Sequence, residues 1–409
     1  MKFAHMADCH LGCWRQKEMQ QLNLEAFKFA IDCCIKENVS FVIIAGDLFD
    51  TAIPSIEILK EATSKLKELA DNKIPCYVVP GSHDFSISGK SMIHVLEKAG
   101  LLYDTTTKSI ENENYSITGV GGEKKGLEIK KIKNIQGQEI TNNNKFNKTK
   151  NDDKLKILIL HTALTEMNLP FINSLSMSEL PQGFDYYALG HIHDKRILKK
   201  EKNKAIAYPG ALFPCNFSEL EKNGAGSFFI INYDENDKGG NFIKEIKEIK
   251  IKLKETLPLE INADNETSHN LYNKIIKTIE NNNIKNKIVL LRIFGTLASG
   301  KPSEINFKEL EQELLAKGAY CILRNTSKLV AKEFELESKE INIDSTDILE
   351  IEKSIIKEMA LQKIISLDDE NKIIELMSYL DIEKAEGETN ETFAFRIFAD
   401  LNKKLNLNL

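Results

Sequence analysis

The sequence has no long apolar run. No stretch approaches the roughly 18 apolar residues that a membrane-spanning helix needs, and the longest runs, such as residues 41–45, have the length of a strand. The first residues reach a carboxylate at Asp8, too soon for the apolar region of a signal peptide. The cysteines are seven, an odd number with irregular spacing, which excludes a disulfide-stapled fold and fits a reducing compartment. We therefore expect a cytoplasmic protein without a membrane segment, associated with the nucleoid if its source is prokaryotic.

Positive charge is scarce near the carboxyl terminus. The chain has 409 residues and a net charge of −6, and residues 331–409 hold 10 Lys and Arg against 19 Asp and Glu. Residues 124–156, in contrast, hold 10 Lys against 4 acidic residues. Apolar residues are 42% and charged residues 28%, a globular balance that excludes a disordered or collagen-like chain. The length suggests two or three domains, and the uneven charge indicates different partners for different parts.

From residue 1 to about 250, short apolar runs alternate with helical segments. Several runs are continuously apolar, as strands covered on both faces tend to be. Predicted helices 16–37 and 55–71 separate the first three strands, and Pro54-Ser55 is a helix start signal. The pattern predicts an α/β domain over 1–250 with a buried sheet. The predicted strands are residues 2–7, 41–45, 76–79, 115–120, 156–160, 186–189, 205–208 and 226–232.

Three other regions differ from this pattern. Residues 123–154 form a basic insertion rich in Lys and Asn, which is either a solvated loop or an arm that contacts phosphates. Residues 253–330 predict a second, smaller α/β unit, with strands 257–262, 288–294 and 320–324 and helices 268–280 and 307–317. Residues 345–409 repeat apolar side chains at helical spacing. These helices either pack within their own domain or leave apolar surface for a partner.

Histidines and carboxylates collect at the ends of five predicted strands. Ligand sites in open α/β sheets form beyond the carboxyl ends of the strands, so side chains from five ends can converge. The neighbouring glycines permit tight turns and close backbone approach. In chain order the residues are Asp8 and His10, Asp47, then Ser82, His83 and Asp84, then His161, and finally His191 and His193.

The chemistry of this set indicates metal ions. Carboxylates and imidazoles without thiolate suit Mn²⁺, Fe²⁺ or Zn²⁺ better than a structural cysteine–zinc site. The set exceeds the usual ligands of one ion, and a carboxylate can bridge two. Two metals about 3.5–4 Å apart are the standard clamp for attack on a phosphate ester. The residues alone therefore predict two-metal phosphoester hydrolysis.

Each of these residues taken singly has a simpler explanation. A lone Asp at a strand end usually caps a turn, and a lone His is usually a hydrogen-bonded structural residue. Three histidines are assigned to that class: His5, His94 and His269. Cys9 and Cys13 with two nearby histidines would make a zinc knot, but no second cysteine pair completes it. The prediction depends on the ordered combination.

That combination resembles the calcineurin-like metallophosphoesterase superfamily. The motifs are Asp-x-His, Gly-Asp, Gly-x-His-Asp, a strand-terminal His and Gly-His-x-His, in this order. Segments 7–12, 45–50, 160–161 and 188–193 are similar, more narrowly, to the SbcD-type DNA repair nucleases and their archaeal and eukaryotic counterparts. The resemblance implies a metallophosphoesterase sandwich of mixed β-sheets flanked by helices over 1–250. It further implies a small α/β capping domain over 253–330 and a C-terminal helical region.

The resemblance also implies a role for each site residue. One Mn²⁺ would be held by Asp8, His10, Asp47 and His193, and the second by the bridging Asp47 with His161 and His191. His83 would act on the transition state or the leaving oxygen, with Asp84 orienting it. Ser82 stands where the family has an Asn ligand to the second metal. Because a hydroxyl is a poorer and shorter-reaching ligand, the second site is expected to be weaker, completed by water, or selective for another metal.

The implied function is DNA cleavage in double-strand-break repair. The resemblance implies 3′-to-5′ exonuclease action on duplex ends and endonuclease action on single strands. It also implies an SMC-like ABC ATPase of the SbcC type bound through 345–409, and a homodimer. Two alternatives stay open: a small-molecule phosphodiesterase on the same site, and a largely inactive scaffold that recruits the ATPase, which Ser82 motivates.

A basic segment follows His193. Residues 194–204 contain six basic and two acidic residues, and the segment starts beside the predicted metals. We expect a sequence-independent contact with the DNA backbone there, although a hairpin kept soluble by lysines explains the same charge. The candidate contact residues are Lys195, Arg196, Lys199 and Lys200.

Overall fold

The computed structural model describes residues 1–86, 91–122, 128–132, 154–167, 173–201, 204–234 and 242–332, with Phe393, Arg396 and Ile397, and leaves out the side chains of 199–201. The chain divides into two compact units. The larger comprises Met1–Asn262, Tyr272–Ile293 and Asn306–Ser327, and the smaller comprises Ala263–Leu271, Phe294–Ile305 and Lys328–Leu409. The candidate site lies in the larger unit.

The described strands, in chain order, are β1 (Lys2–Met6), β2 (Val42–Ala45), β3 (Cys76–Val79), β4 (Tyr103–Asp104), β5 (Ile110–Glu111), β6 (Tyr115–Val120), β7 (Leu155–His161), β8 (Ala163–Leu164), β9 (Ser174–Leu175), β10 (Tyr186–Gly190), β11 (Arg196–Glu201), β12 (Lys204–Tyr208), β13 (Gly226–Tyr233), β14 (Ile243–Ile251), β15 (Glu255–Asn262), β16 (Lys287–Leu297) and β17 (Cys321–Ala331). The principal helices are α1 (Lys17–Lys36), α2 (Ile56–Asp71), α3 (Met92–Lys98), α4 (Phe217–Asn223), α5 (Ser268–Glu280) and α6 (Phe307–Ala316).

Two six-stranded mixed sheets dominate the structure. The first has the order β14-β13-β1-β2-β3-β4 and the second β11-β12-β10-β7-β6-β5. The strands that lead to the candidate site are parallel within each sheet, β1 with β2 and β3, and β7 with β10. Their carboxyl ends therefore lie at one edge of each sheet, where loops that carry chemistry can meet.

The two sheets pack face to face through aromatic residues. Phe3 of β1 stacks on Phe41 with ring centroids 4.9 Å apart and meets the edge of Tyr186 of β10 at 5.3 Å. Strand β7 shows why its sequence is continuously apolar. Ile157 belongs to this central cluster, whereas its neighbour Leu158 belongs to the cluster on the outer face of the second sheet. Both faces are thus covered, as expected for buried parallel strands.

Helices cover the outer face of the first sheet. Phe27 of α1 and Leu66 of α2 are fully buried against strand residues such as Met6 and Ile44. Helix α2 begins where its start signal predicts, because the Ser55 hydroxyl accepts a hydrogen bond from Ile58 N at 3.4 Å. None of the helices in the described part of the chain is long and apolar enough to cross a bilayer.

A three-stranded sheet of order β15-β16-β17 follows the sandwich. Leu290 of β16 and Leu323 of β17 join the cluster that contains α1, and Tyr320 Oη donates to Glu18 O at 3.4 Å. Within the smaller unit, Ala263 N donates to Phe294 O at 2.7 Å. For this part of the sequence we predicted a second, smaller α/β unit over residues 253–330.

The α/β class and the sandwich of mixed sheets flanked by helices are confirmed, and each predicted strand has a counterpart within about one residue at most ends. The exceptions lie in the three-stranded sheet: β15 begins two residues before the predicted 257–262, β16 ends three residues beyond the predicted 288–294, and β17 continues well beyond the predicted 320–324. The basic segment after His193 is a strand, β11, antiparallel to β12. Strand β14 was not predicted, because isoleucines at 243, 246 and 249 have the spacing of a helix face. The domain boundaries 1–250 and 253–330 stay predictions.

Two predicted features lie outside the described residues. They are most of the basic insertion 123–154 and the helical region 345–409, of which only Phe393, Arg396 and Ile397 are described.

His5 lies in the centre of the sandwich. Its side chain is fully buried, with Nδ1 2.9 Å from the Tyr186 hydroxyl. Burial lowers the pKa of His5 to about 3. Below the ordinary histidine pKa of about 6.5 the unfolded chain takes up a proton that the folded chain does not. His5 therefore reduces stability progressively as the pH falls from about 6.5 towards 3.

We expect His5→Leu to weaken this acid sensitivity. Between pH 7.5 and 5.0 the wild type should lose about 2 kcal/mol more stability than the variant, from the proton uptake described above. Thermal melting at the two pH values measures the difference. The exposed His269→Gln serves as the control and should keep the wild-type pH dependence, and equal acid sensitivity in His5→Leu would contradict the account.

Candidate metal centre

The loops after β1 and β2 run side by side at the carboxyl edge of the first sheet. Asp8 N donates to Gly46 O at 3.1 Å and His10 N donates to Asp47 O at 2.9 Å. Four residues here have left-handed backbone: Asp8 (φ 49°), His10 (φ 41°), Asp47 (φ 50°) and His191 (φ 86°). Such conformations cost about 1–3 kcal/mol each and cluster at functional sites.

Glycines allow the second sheet to approach these loops. A Cβ atom on Gly190, at the end of β10, would lie 1.8 Å from Ala45 O, and one on Gly46 would lie 2.0 Å from His161 Nδ1. A Cβ on Gly81 would lie 2.1 Å from Asp47 Oδ1. Only glycine fits at these three positions. The three glycines therefore allow the ends of β2, β3, β7 and β10 to come together.

The first group of candidate ligands consists of Asp8, His10 and His193, whose ligand atoms lie within 4.8 Å of one another. His10 Nε2 and His193 Nε2 are 3.2 Å apart. Both oxygens of Asp8 accept from His191 N, at 3.0 and 3.1 Å, which fixes that carboxylate. Facing imidazole nitrogens beside a carboxylate are the arrangement that a shared cation requires.

The second group consists of Asp8, Asp47 and His161, all buried. His161 Nδ1 lies 2.9 Å from Ala45 O, to which it donates. Its Nε2 is buried, lies 3.1 Å from Asp47 Oδ2, and makes no hydrogen bond of good geometry with the residues that the structure describes. Histidines that bind metals usually donate one ring N–H to a carbonyl or carboxylate and turn the other nitrogen towards the ion. His161, which donates Nδ1–H to a carbonyl and turns Nε2 towards the candidate site, has this orientation.

Asp47 lies between the two groups. Its Oδ2 is 3.1 Å from His161 Nε2 and 3.7 Å from His10 Nε2, and its Oδ1 accepts from His83 N at 2.8 Å. The carboxylate thus faces ligands of both predicted ions. The His191 ring meets the His161 ring edge-on, with centroids 5.1 Å apart, which places His191 beside the second group.

Protons and charges are strongly coupled in this cluster. Burial opposes ionisation of Asp47, but the His161 ring, His10 and the His83 N–H together lower the pKa of Asp47 well below its ordinary value. Burial opposes protonation of His161 as well, yet the Asp47 carboxylate raises the pKa of His161. Buried carboxylates need compensating positive charge, and binding of a metal would displace these protons.

The remaining two histidines shift in opposite directions. Burial and the neighbouring His161 lower the pKa of His191 to about 4. Burial also disfavours the charged form of His193, but the hydrogen bond with Glu219 and the charge of Asp8 raise the pKa of His193 to about 9. Of these two histidines, His191 is therefore the neutral one at pH 7.

His83 lies at the open side of the centre. Its side chain is 48% exposed, its ring centroid is 4.7 Å from that of His10, and its Nδ1 lies 2.8 Å from the Asp50 carbonyl oxygen. Ser82 is half-buried in the same turn, between Gly81 and His83, both of which adjoin Asp47. The turn therefore presents one exposed imidazole and one hydroxyl beside the ligands.

Asp84 holds the turns together. Its buried carboxylate accepts from Gly81 N at 2.9 Å, Leu48 N at 3.2 Å and Phe49 N at 3.1 Å. Burial and the Asp47 charge raise the pKa of Asp84 to about 6, against these three hydrogen bonds. The contact with the His83 ring that was expected of Asp84 is made by the Asp50 carbonyl instead, because the Asp84 oxygens bind backbone N–H groups.

Two residues of the centre were not predicted from the sequence. Asp50 Oδ1 lies 3.3 Å from His10 Nδ1, and Glu219 Oε1 lies 2.9 Å from His193 Nδ1. Asp50 stands in the segment 45–50 that carried the resemblance, so its position was a usable signal. Glu219 follows His193 by 26 residues, and only the helix-cap pattern Asn-x-x-Glu marks it.

The basic residues at and just before β11 are only partly described. Lys195 is 41% exposed and its Nζ lies 2.6 Å from Glu248 Oε2, and Arg196 is exposed at the start of the edge strand. The side chains of Lys199 and Lys200 lie outside the described residues. Basic side chains on an edge strand also discourage pairing with other chains, so both explanations of this charge stand.

The donor set fits a pair of divalent ions. The first ion would be held by Asp8, His10, Asp47 and His193, and the second by Asp47, His161 and His191 with Ser82 nearby. The observation that supports this is the buried His161 Nε2, which makes no hydrogen bond of good geometry among the described residues but faces the Asp47 carboxylate at 3.1 Å. Burial makes such carboxylates costly to leave uncompensated. Carboxylate and imidazole ligands suit Mn²⁺, Fe²⁺ and Zn²⁺ alike.

Comparison with known proteins agrees with this geometry. Residues 1–195 match the family model of the calcineurin-like phosphoesterases. Three proteins named DNA double-strand break repair protein Mre11 extend the similarity. The one from Methanocaldococcus jannaschii is 29% identical over 371 residues, 88% of this chain and 88% of the relative. The one from Sulfurisphaera tokodaii is 27% identical over 394 residues, 92% of each chain.

The third, from Archaeoglobus fulgidus, is 29% identical over 301 residues, which are 68% of this chain and 65% of the relative, slightly under two thirds of its length. Among solved structures, a dimetal phosphatase from Danio rerio aligns with 62% of this chain and 96% of its own, at 12% identity and a TM-score of 0.35. Residues 1–195 are therefore similar to the calcineurin-like metallophosphoesterases, and the chain is homologous over most of its length to the Mre11 proteins.

Proposed function

We propose that this metallophosphoesterase is a two-metal, Mn²⁺-dependent DNA nuclease of double-strand-break repair. The observation that carries the proposal is the position of Asp47, whose Oδ2 lies 3.1 Å from His161 Nε2 and 3.7 Å from His10 Nε2. One carboxylate facing ligands of two sites supports a bridging role. Two divalent ions supply charge neutralisation on the phosphate and activation of the attacking water.

The residues of the chain orient the reacting groups. Ala45 O and Glu219 each take the outer N–H of a ligand histidine, so His161 and His193 aim their Nε2 atoms inward. His83 donates Nδ1–H to the Asp50 carbonyl and presents Nε2 to the open side. From there, with a proton on each ring nitrogen, it would donate Nε2–H to a phosphate oxygen in the transition state and pass that proton to the leaving oxygen.

DNA as the substrate is supported by the names of the relatives, all DNA double-strand break repair proteins. The proposed actions are 3′-to-5′ exonuclease cleavage of duplex ends and endonuclease cleavage of single strands. An SMC-like ABC ATPase of the SbcC type would bind residues 345–409, and the chain would act as a homodimer. Lys195 and Arg196, which lie just before and at the start of β11 and close in sequence to His193, would contact the phosphate backbone without reading bases.

Substitution of the bridging carboxylate tests the centre. We expect Asp47→Ala to reduce Mn²⁺-dependent cleavage of end-labelled duplex DNA by at least about a thousandfold, equivalent to about 4 kcal/mol of transition-state stabilisation. Ser82→Asn should preserve or raise the rate, because an amide oxygen reaches further towards the second ion than a hydroxyl. Gel analysis of labelled fragments measures both.

The exposed Asp32, which pairs with Lys65 on the far helix α2, provides the matched control, and Asp32→Ala should cleave as the wild type does. An unchanged rate in Asp47→Ala would show that the assigned centre is wrong. Cleavage of a chromogenic diester without cleavage of DNA would instead favour the small-molecule phosphodiesterase.

Salt dependence tests the contact of β11 with DNA. In an Asp47→Ala background, which keeps the DNA intact, replacing Lys195 and Arg196 by Ala should weaken binding equally for unrelated sequences. The slope of log affinity against log salt should fall by about 1 for each phosphate contact removed. Fluorescence anisotropy over a salt series measures it. Lys67→Ala removes another exposed, ion-paired lysine and should leave the slope unchanged; no change in the β11 variant would favour the solubility explanation.

A further inference from the structure

Helix α4 connects the metal centre to the three-stranded sheet. On one side, Glu219 Oε1 lies 2.9 Å from His193 Nδ1, and the opposite ring nitrogen, Nε2, faces His10 Nε2 at 3.2 Å. A histidine that binds a metal through one nitrogen usually donates its other N–H to a carboxylate or carbonyl, which fixes its tautomer and ring orientation. His193 and Glu219 have this arrangement.

The Glu219 carboxylate is itself held in one orientation. Its Oε2 accepts from Cys215 N at 2.8 Å, and its Oε1 also accepts from Asn216 Nδ2 at 2.5 Å. In return, Glu219 N donates to Asn216 Oδ1 at 2.9 Å, which caps the helix. Because both carboxylate oxygens have fixed donors, the position of α4 determines where the His193 ring points.

The other side of α4 is fixed to β16. Arg292 Nε lies 2.9 and 3.1 Å from the two carboxylate oxygens of Glu221, and its Nη2 lies 2.6 Å from Oε2. The Arg292 guanidinium also lies 5.2 Å from the ring centroid of Phe217, at the start of the helix. A bidentate arginine–carboxylate pair is both strong and directional, so it restricts rotation and translation of this short helix.

We propose that Glu219 is a positioning residue for the metal ligand His193, and that Arg292 of the three-stranded sheet holds α4 where Glu219 can do so. The proposal rests on the two-metal function proposed above and goes beyond it, because it makes occupancy of one ion depend on a residue outside the sandwich. A capping residue with no further role would stabilise α4 but leave the affinity for the ion unchanged.

Titration of the full-length chain with Mn²⁺, without DNA, tests the role of Glu219. Isothermal calorimetry should show that Glu219→Ala weakens one of the two sites by roughly 10–100-fold and leaves the other unchanged. Glu219→Gln should recover part of the loss, since its amide oxygen accepts the same N–H without the charge. Glu37→Gln, which removes a carboxylate paired with Lys2 at the start of β1, is the control and should bind as the wild type.

The results of these titrations distinguish a positioning role of Glu219 from a purely structural one. Wild-type Mn²⁺ affinity in both Glu219 variants overturns the proposal, and so does equal weakening of both sites accompanied by a lower Tm, which would indicate a purely structural role. Should Glu219→Ala fail to fold, Glu219→Gln decides alone, by site-selective weakening at an unchanged Tm or by wild-type binding. A wild type that binds two Mn²⁺ and cleaves no DNA contradicts the nuclease function only.

Arg292→Gln tests the second half of the proposal. We expect it to weaken the same Mn²⁺ site in the same direction as Glu219→Ala but by less, at least about threefold. Arg324→Gln is the matched control, because Arg324 lies on β17 of the same three-stranded sheet, pairs with Glu311 and covers the Phe307 ring, both of which belong to α6. Equal Mn²⁺ affinity in the two arginine variants would contradict the link from β16 to the metal centre.

Discussion

The carbonyl oxygen of Ala45 is the point on which the centre depends. It terminates β2 of the first sheet, accepts the His161 Nδ1–H from the end of β7 at 2.9 Å, and touches Gly190 at the end of β10 so closely that no side chain fits there. This one backbone atom therefore contacts the second sheet, orients the candidate ligand His161 and leaves room only for glycine at position 190. The contacts of Asp47 with ligands on both sides follow from this approach.

The buried carboxylates of the centre determine which ligands this geometry can bind. A cluster of buried carboxylates and imidazoles is stable only if positive charge compensates the carboxylates, and here imidazoles with raised pKa values and divalent ions are alternatives for that role. The same coupling that lowers the pKa of Asp47 keeps it ionised and ready to bind a cation. The chemistry of the family thus arises from ordinary electrostatics in a site enclosed by two sheets.

Much of this could be predicted from sequence, because parallel strands leave a strong local signal. Strands covered on both faces are continuously apolar, and polar residues directly after them must lie at one edge. Strand β14 was missed since its isoleucines mimic helical spacing. Glu219 was missed because its partner His193 is 26 residues away and only tertiary packing brings them together. The contacts of Asp84 were also beyond prediction, as they are made with backbone groups that any residue offers.

The left-handed backbone at Asp8, His10, Asp47 and His191 has a consequence for the history of such a scaffold. Glycine adopts these conformations without steric cost, so a substitution by glycine at one of these candidate ligands can relieve strain at the same time as it removes the side chain that would bind a metal. A substitution that inactivates the site can then leave the stability of the fold unchanged or even increase it. A descendant without catalytic activity would therefore keep a stable fold, which could bind a partner protein or regulate one.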